Sequence, residues 1–172
     1  VVEGKLSIIE DDLNQEDSMQ VELGLYEAES KRRIEIGKNA YITANGALDV
    51  LASLTLNKGY IPDTGIIEFN PFILKLGEAS VNVLGTIEAL GAVRIGSELN
   101  VSIDATNGTL SKIVPVAVAA ASGSALVTVA EDARMTSGAS IQLDAVSDAR
   151  LAADAASGVL KFSISLVLSM ID

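Results

Sequence analysis

The sequence predicts an all-β protein, specifically an antiparallel β-sandwich or barrel-like domain with one short helix near residues 147–157. Apolar residues alternate with polar or small ones along 19–26 and again along 159–169, a period of two that is typical of strands with one buried face. Gly, Asn, Asp and Ser recur at short intervals between such runs, as the tight connections of an antiparallel sheet require. These two observations define the expected fold.

Shorter alternating runs predict further strands between these two. Residues 48–56 are compatible with helix or strand, and the β-branched Val50 and Thr55 favour the strand. Asn45-Gly46 and Asn107-Gly108 predict hairpin turns, because both residue types tolerate positive φ. The remaining predicted strands are 33–36, 80–84, 93–95, 99–103, 125–129 and 141–143.

The helix is predicted from a single Ala-rich stretch. Ser147 can cap the N-terminus, Asp148 suits the first turn, and Gly158 can end the helix. Residues 113–130 form an uncharged run long enough to approach a membrane span. Pro115 and the Ser122-Gly123-Ser124 turn signal instead predict two buried strands joined by a small loop.

Residues 33–50 and 92–110 resemble each other faintly. Each segment carries Ile-Gly, a strand-like run and then Asn-Gly. The similarity fits duplicated hairpins or the first turns of a solenoid. Two imperfect copies fall short of the three that a repeat architecture needs, so the segments are interpreted as similar hairpins.

Length and charge limit the classes of protein that remain. The 172 residues predict a single β-rich domain, 1–172, with an acidic N-terminal segment of about residues 1–35 at its periphery. With 23 acidic and 12 basic residues the net charge is −11, which repels phosphate backbones and anionic lipids. Neither nucleic acid nor a membrane is therefore expected as a partner.

Catalytic chemistry has few candidate residues. The chain has no His and no Cys, which removes the usual hydrolase triads and most zinc sites. Asp63-Thr64-Gly65 resembles the triplet of aspartic proteases, but Pro62 and Ile66 depart from that family's pattern, and Pro-Asp-Thr-Gly is also a β-turn sequence. We therefore predict no enzyme, no catalytic residue and no cofactor.

The acidic stretch 8–20 has two interpretations. Asp12, Asn14 and Glu16 alternate as calcium ligands do, but Asp17 and Leu23 occupy the positions where a helix–loop–helix calcium loop needs Gly and Glu. A looser calcium site at Asp12, Asn14 and Glu16 stays open as the alternative. The favoured interpretation is a hydrated loop whose like charges protect a sheet edge, with no metal.

Composition indicates how the protein functions. Hydrophobic residues make up 49% of the chain and charged residues 20%, so part of the apolar surface is expected to be buried between subunits. We predict a homo-oligomer, or a protein docked on a lattice protein of the same assembly. The leading function is a non-enzymatic structural subunit of a virion coat, capsid decoration or fibre, located at the virion surface or extracellularly.

Three alternatives to that function remain open at this stage. The first is a subunit of a cell-surface filament. The second is a ligand- or carbohydrate-binding β-sandwich, for which Tyr26, Tyr41 and Tyr60 are the candidate contacts. The third is a carboxylate-based hydrolase, which would need two acidic residues brought together by the fold.

Overall fold

A computed structural model describes residues 2–3, 6–13, 23–60, 70–107, 116–155 and 164–171. These residues form twelve strands and, within the described ranges, no helix. The strands are β1 (Val2–Glu3), β2 (Leu6–Leu13), β3 (Leu23–Ile36), β4 (Tyr41–Ala44), β5 (Leu48–Tyr60), β6 (Asn70–Val83), β7 (Thr86–Ala89), β8 (Val93–Asn107), β9 (Val116–Val129), β10 (Arg134–Ser137), β11 (Ile141–Ala155) and β12 (Ile164–Ile171).

The strands form three sheets through which the chain passes repeatedly. A short sheet, here called the corner sheet, has the order β1-β4-β7-β10. The three-stranded sheet has the order β11-β8-β5, and the five-stranded sheet has the order β12-β9-β6-β3-β2. Coil 1 thus comprises β3, β4 and β5; coil 2 comprises β6, β7 and β8; coil 3 comprises β9, β10 and β11; and β12 begins a further layer. The result is a β-solenoid.

The predicted antiparallel sandwich is wrong, because neighbouring strands of successive coils run parallel. Leu48 pairs with Val93, and Val93 pairs with Ile141, so equivalent residues stack in register. Among the described pairs, antiparallel pairing occurs between β1 and β4 and between β2 and β3. A strand with one buried face alternates in the same way whether its neighbours are parallel or antiparallel, so the alternation could not distinguish the two folds.

The Asn45-Gly46 turn is a corner between two sheets and not a hairpin. It joins β4 of the corner sheet to β5 of the three-stranded sheet, and the φ of Gly46 lies outside the left-handed region. Gly91 occupies the same corner one coil later and donates its N–H to the Gly46 carbonyl at 2.9 Å. A Cβ on Gly91 would overlap the backbone at Ala47, so the close stacking of corners requires glycine there. Asn107 ends β8, and Gly108 lies outside the described residues.

The predicted helix at 147–157 is also wrong. Residues 147–155 belong to β11, and 156–157 lie outside the described residues. Asp148, Arg150 and Asp154 are exposed, while the intervening Ala149 and Ala153 are half-buried. Ala149 pairs with Val101 and Ala153 with Ala105, so stacking on coil 2 overrides the helix propensity of alanine.

The uncharged run also differs from the prediction. Residues 116–129 form one continuous strand, β9, instead of two strands joined by a loop. Gly123 pairs with Gly77 of β6, and a Cβ on Gly123 would overlap the backbone of Gly77 and the side chain of Leu99. Glycine at 123 therefore makes room for Leu99 of the facing sheet and does not make a turn.

Two clusters of apolar side chains fill the inside of the coils. The first lies near the corner sheet and includes Val83 from the end of β6 and Val93 from the start of β8. The second lies at the opposite end and includes Ile73 from early in β6 and Ala105 from late in β8. The long strands of the two facing sheets therefore run in opposite directions.

Candidate functional site: the open end face

The last described coil leaves an interior cross-section uncovered. Ile95 of coil 2 has no exposed surface, whereas Leu143, its partner one layer later in the three-stranded sheet, is 48% exposed. Ala119 of β9 is fully buried, whereas its partner Val167 in β12 is 46% exposed. Because these side chains occupy equivalent register positions, the exposed ones belong to the inside of the stack. We call this surface, comprising Val129, Ile141, Leu143 and Val167, the open end face.

Strand edges surround the open end face. β10, β11 and β12 are each the last strand of their sheet among the described residues, so one edge of each strand has no paired strand. β12 carries no charged residue, and its Leu166, Leu168 and Met170 are also exposed. An uncharged, unpaired edge such as that of β12 is a template for pairing with another strand.

The other end of the stack is covered differently. β2 pairs antiparallel with β3, and β1 pairs antiparallel with β4, so neither sheet ends there in a parallel edge. The register places Glu10 opposite Arg32 and Asp11 opposite Lys31. Residues 8–13 of the acidic stretch 8–20 therefore lie in strand β2 and not in a loop, and residues 14–20 lie outside the described residues.

A cavity of about 560 Å³ opens near this covered end, where β5 is the edge of its sheet. Arg32 donates from Nη1 to the Ser53 carbonyl at 3.2 Å, and Lys75 reaches the cavity from β6. Its described lining is otherwise polar or aliphatic, with no aromatic ring. The lining residues are Ser30, Arg32, Ser53, Leu54, Thr55, Leu56, Asn57 and Lys75.

The candidate residues from the sequence are not gathered into one site. Asp12 lies in β2 opposite Ser30, whereas Asn14 and Glu16 lie outside the described residues. Asp63, Thr64 and Gly65 also lie outside them. In the described part of the chain, no three acidic side chains come close enough to hold a metal ion.

The three tyrosines are also separated. Tyr41 is partly exposed in the corner sheet, and its hydroxyl donates to Glu88 of the next coil. Tyr26 lies in β3, and Tyr60 is the last residue of β5. Neither Tyr41 nor the other two belongs to the described lining of the cavity.

Within the uncharged run 113–130, residues 117–121 are buried inside the stack, whereas Leu126 and Val129 are exposed. Ala117, Ala119 and Ala121 are buried against the facing sheet. The exposed apolar residues lie mainly in β11 and β12 instead. A recurring Gly-Ala at 46–47, 91–92 and 138–139 marks equivalent corners and is the signal that could have identified the last coil.

Comparisons with known proteins give no further guide. No family model, curated protein or solved structure matches the chain. Within the described residues, none of the elements is a helix long and apolar enough to cross a membrane.

Proposed function

We propose that the chain is a non-enzymatic structural subunit of a repetitive assembly, in which the solenoid forms a segment of a fibre at the surface of a virion. A cell-surface filament is the alternative setting for the same role. The observation that carries the proposal is the open end face, an interior cross-section with apolar side chains and with strand edges that no other described strand pairs with.

Solenoids suit this role because they extend in one dimension. Each coil contacts mainly the coils before and after it, and each added coil lengthens the rod without changing its width. The register supports elongation of the rod by whole coils. Leu48, Val93 and Ile141 occupy the same position in three successive coils, each paired in register with the next. The charged residues Arg94 and Asp104 of β8 in the middle coil are exposed, beside buried residues of the same strand.

The acidic surplus gives the proposal a measurable salt dependence. At a net charge of −11, copies repel one another, and salt weakens that repulsion over a Debye length of about 10 Å at 0.1 M. We expect sedimentation and negative-stain electron microscopy to detect particles larger than a monomer, with association strengthening as salt rises. A chain that stays monomeric at all salt concentrations, and that binds no co-purifying lattice protein, would contradict the proposal.

The cavity beside Arg32 and Lys75 favours a second candidate function, a module that binds a small anionic ligand. Both cations line it together with Ser30, Thr55 and Asn57. Inorganic phosphate or citrate at millimolar concentration tests this candidate. Binding measured by calorimetry in the natural chain and lost in Arg32→Gln would support it, and absence of binding would rule it out for these ligands.

A further inference from the structure

We propose that Asn45 is a site of spontaneous chemical modification, at which the side-chain amide is lost as ammonia and the residue becomes aspartate or isoaspartate. The site is the corner that joins β4 to β5, where coil 2 stacks on coil 1. The inference does not depend on the proposed function.

The reaction needs only the chain itself and water. The backbone nitrogen of Gly46 attacks the side-chain carbonyl carbon of Asn45 and forms a C–N bond, and the amide nitrogen leaves as ammonia with the proton of the Gly46 N–H. Water then opens the cyclic succinimide at one of its two carbonyl groups. One opening gives aspartate. The other gives isoaspartate, in which the main chain passes through the former side-chain carbonyl.

The residues at this corner favour the attack. Gly46 has no Cβ, and no atom lies within 4 Å of the place where a Cβ would be, so the approach to its nitrogen is open. Asn45, Gly46 and Ala47 are all exposed, which gives water access to the succinimide. Asparagine is itself one of the thermolabile residue types.

In the later coils, stacking holds the corresponding nitrogen in a hydrogen bond. Gly91 donates its N–H to the Gly46 carbonyl at 2.9 Å, and Gly138 donates its N–H to the Ala89 carbonyl at 2.9 Å. Each of these bonds fixes a corner glycine against the coil before it. The residues that precede these two glycines are Leu90 and Ser137, which carry no side-chain amide.

The corner of coil 1 differs from these two corners. The described strand beside β4 on the side away from coil 2 is β1, which runs antiparallel and pairs with Tyr41 and Ile42, so it does not repeat the corner. Among the described residues, none accepts a hydrogen bond from the Gly46 N–H, and none is hydrogen-bonded to the Asn45 side chain. Both reacting groups are therefore free to approach each other.

Asn39 provides a comparison within the same coil. It is exposed in the turn between β3 and β4, as Asn45 is at the next corner. The residue that follows it is Ala40, which is buried and donates its N–H to the Gly37 carbonyl at 2.8 Å. Asn39 thus shares the exposure of Asn45 but has a hindered, hydrogen-bonded nitrogen after it. We expect Asn39 to keep its amide.

Conversion changes both the charge and the main chain at the corner. Each converted copy gains one negative charge, on a chain whose net charge is already −11. Isoaspartate also inserts one CH₂ group into the main chain before Gly46, whose carbonyl accepts the hydrogen bond from coil 2. The modified residue therefore lies at the contact between the two coils.

Mass spectrometry of the folded chain, incubated at mildly alkaline pH, tests the proposal. We expect a progressive mass gain of one dalton that peptide fragmentation assigns to residue 45, with isoaspartate detected by enzymatic methylation, and no change at residue 39. Gly46→Ala is the matched variant, because it keeps Asn45 and adds a Cβ at an open position. We expect it to convert at least about tenfold more slowly, which corresponds to about 1.4 kcal/mol of added barrier. Circular dichroism establishes that the variant is folded.

The same incubation in guanidinium chloride separates the corner from the sequence around it. Conversion of Asn45 in the folded chain, as well as in the unfolded chain, would support the proposal. An Asn45 that reacts when the chain is unfolded and stays intact when it is folded would overturn it, because the corner would then protect the residue. Equal conversion of Gly46→Ala and the natural chain, or of Asn39 and Asn45, would also overturn it.

Discussion

The middle coil and the last coil have the same register and similar residues, yet their interior side chains near the corner sheet differ in exposure. Val83 of β6 has no exposed surface, while Val129, its partner in β9, is 36% exposed. Residue type is identical in this pair, so the difference comes only from the layer above. In a solenoid, burial is therefore a property of the position in the stack as much as of the residue.

The largest expected effect tests this difference in burial directly. Ile95→Ala removes a fully buried side chain of the middle coil and should lower the free energy of unfolding by about 2 to 5 kcal/mol. Leu143→Ala, at the equivalent position of the last coil, should cost less than about 1.5 kcal/mol when measured on the monomer. Urea denaturation at low protein concentration measures both values. Equal costs would mean that coil 3 is covered in the monomer.

A smaller effect is expected at the corners. Gly91→Ala should cost about 1 to 3 kcal/mol, because its Cβ would overlap the backbone at Ala47 of the coil below. Gly46→Ala is the matched control, since no atom lies within 4 Å of its Cβ and its φ is not left-handed. That control should stabilise the chain by about 0.4 to 1 kcal/mol by restricting the unfolded state. Thermal unfolding of the two variants compares them, and a harmless Gly91→Ala would refute the close stacking of corners.

The smallest expected effect concerns a polar group inside the middle coil. Ser97 is buried, donates from Oγ to the Ala79 carbonyl at 2.7 Å and accepts from the Leu126 N–H at 3.1 Å. Ser97→Ala should cost about 1 to 2 kcal/mol, because two backbone groups of the facing sheet lose a partner. Ser102→Ala, on the exposed face of the same strand, should change stability by less than about 0.5 kcal/mol. A neutral Ser97→Ala would mean that water replaces the hydroxyl.

Strand positions could be predicted from the sequence, whereas strand partners could not. The alternating runs at 33–36, 48–56, 93–95 and 99–103 all lie in strands of the structure. Their alternation indicates that one face of each strand is buried. It does not indicate whether the strand pairs with the next strand in the sequence or with a strand one coil later. The helix prediction at 147–157 failed for a related reason. Ala149 and Ala153 stack on Val101 and Ala105 of coil 2, and this stacking in the sheet outweighs the helix propensity of alanine.

The coils repeat at a spacing that the resemblance between residues 33–50 and 92–110 does not match. Leu48 pairs with Val93, and Val93 pairs with Ile141, which gives a period of roughly 45 to 48 residues. Three copies exist at that period. The open end face could not be predicted in any case, because Leu143 resembles the buried Ile95 in chemistry and differs only in what lies above it.

The corner glycines carry a consequence for the length of the protein. Ala47 precedes Leu48, and one coil later Ala92 precedes Val93, the residue that pairs with Leu48. Deleting residues 48–92 would therefore join Ala47 to Val93 with the same Gly-Ala corner in front of the same kind of strand. The rod would be shorter by one strand spacing, about 4.8 Å. The number of coils can thus change by internal duplication or deletion, while the coils on either side keep their chemistry.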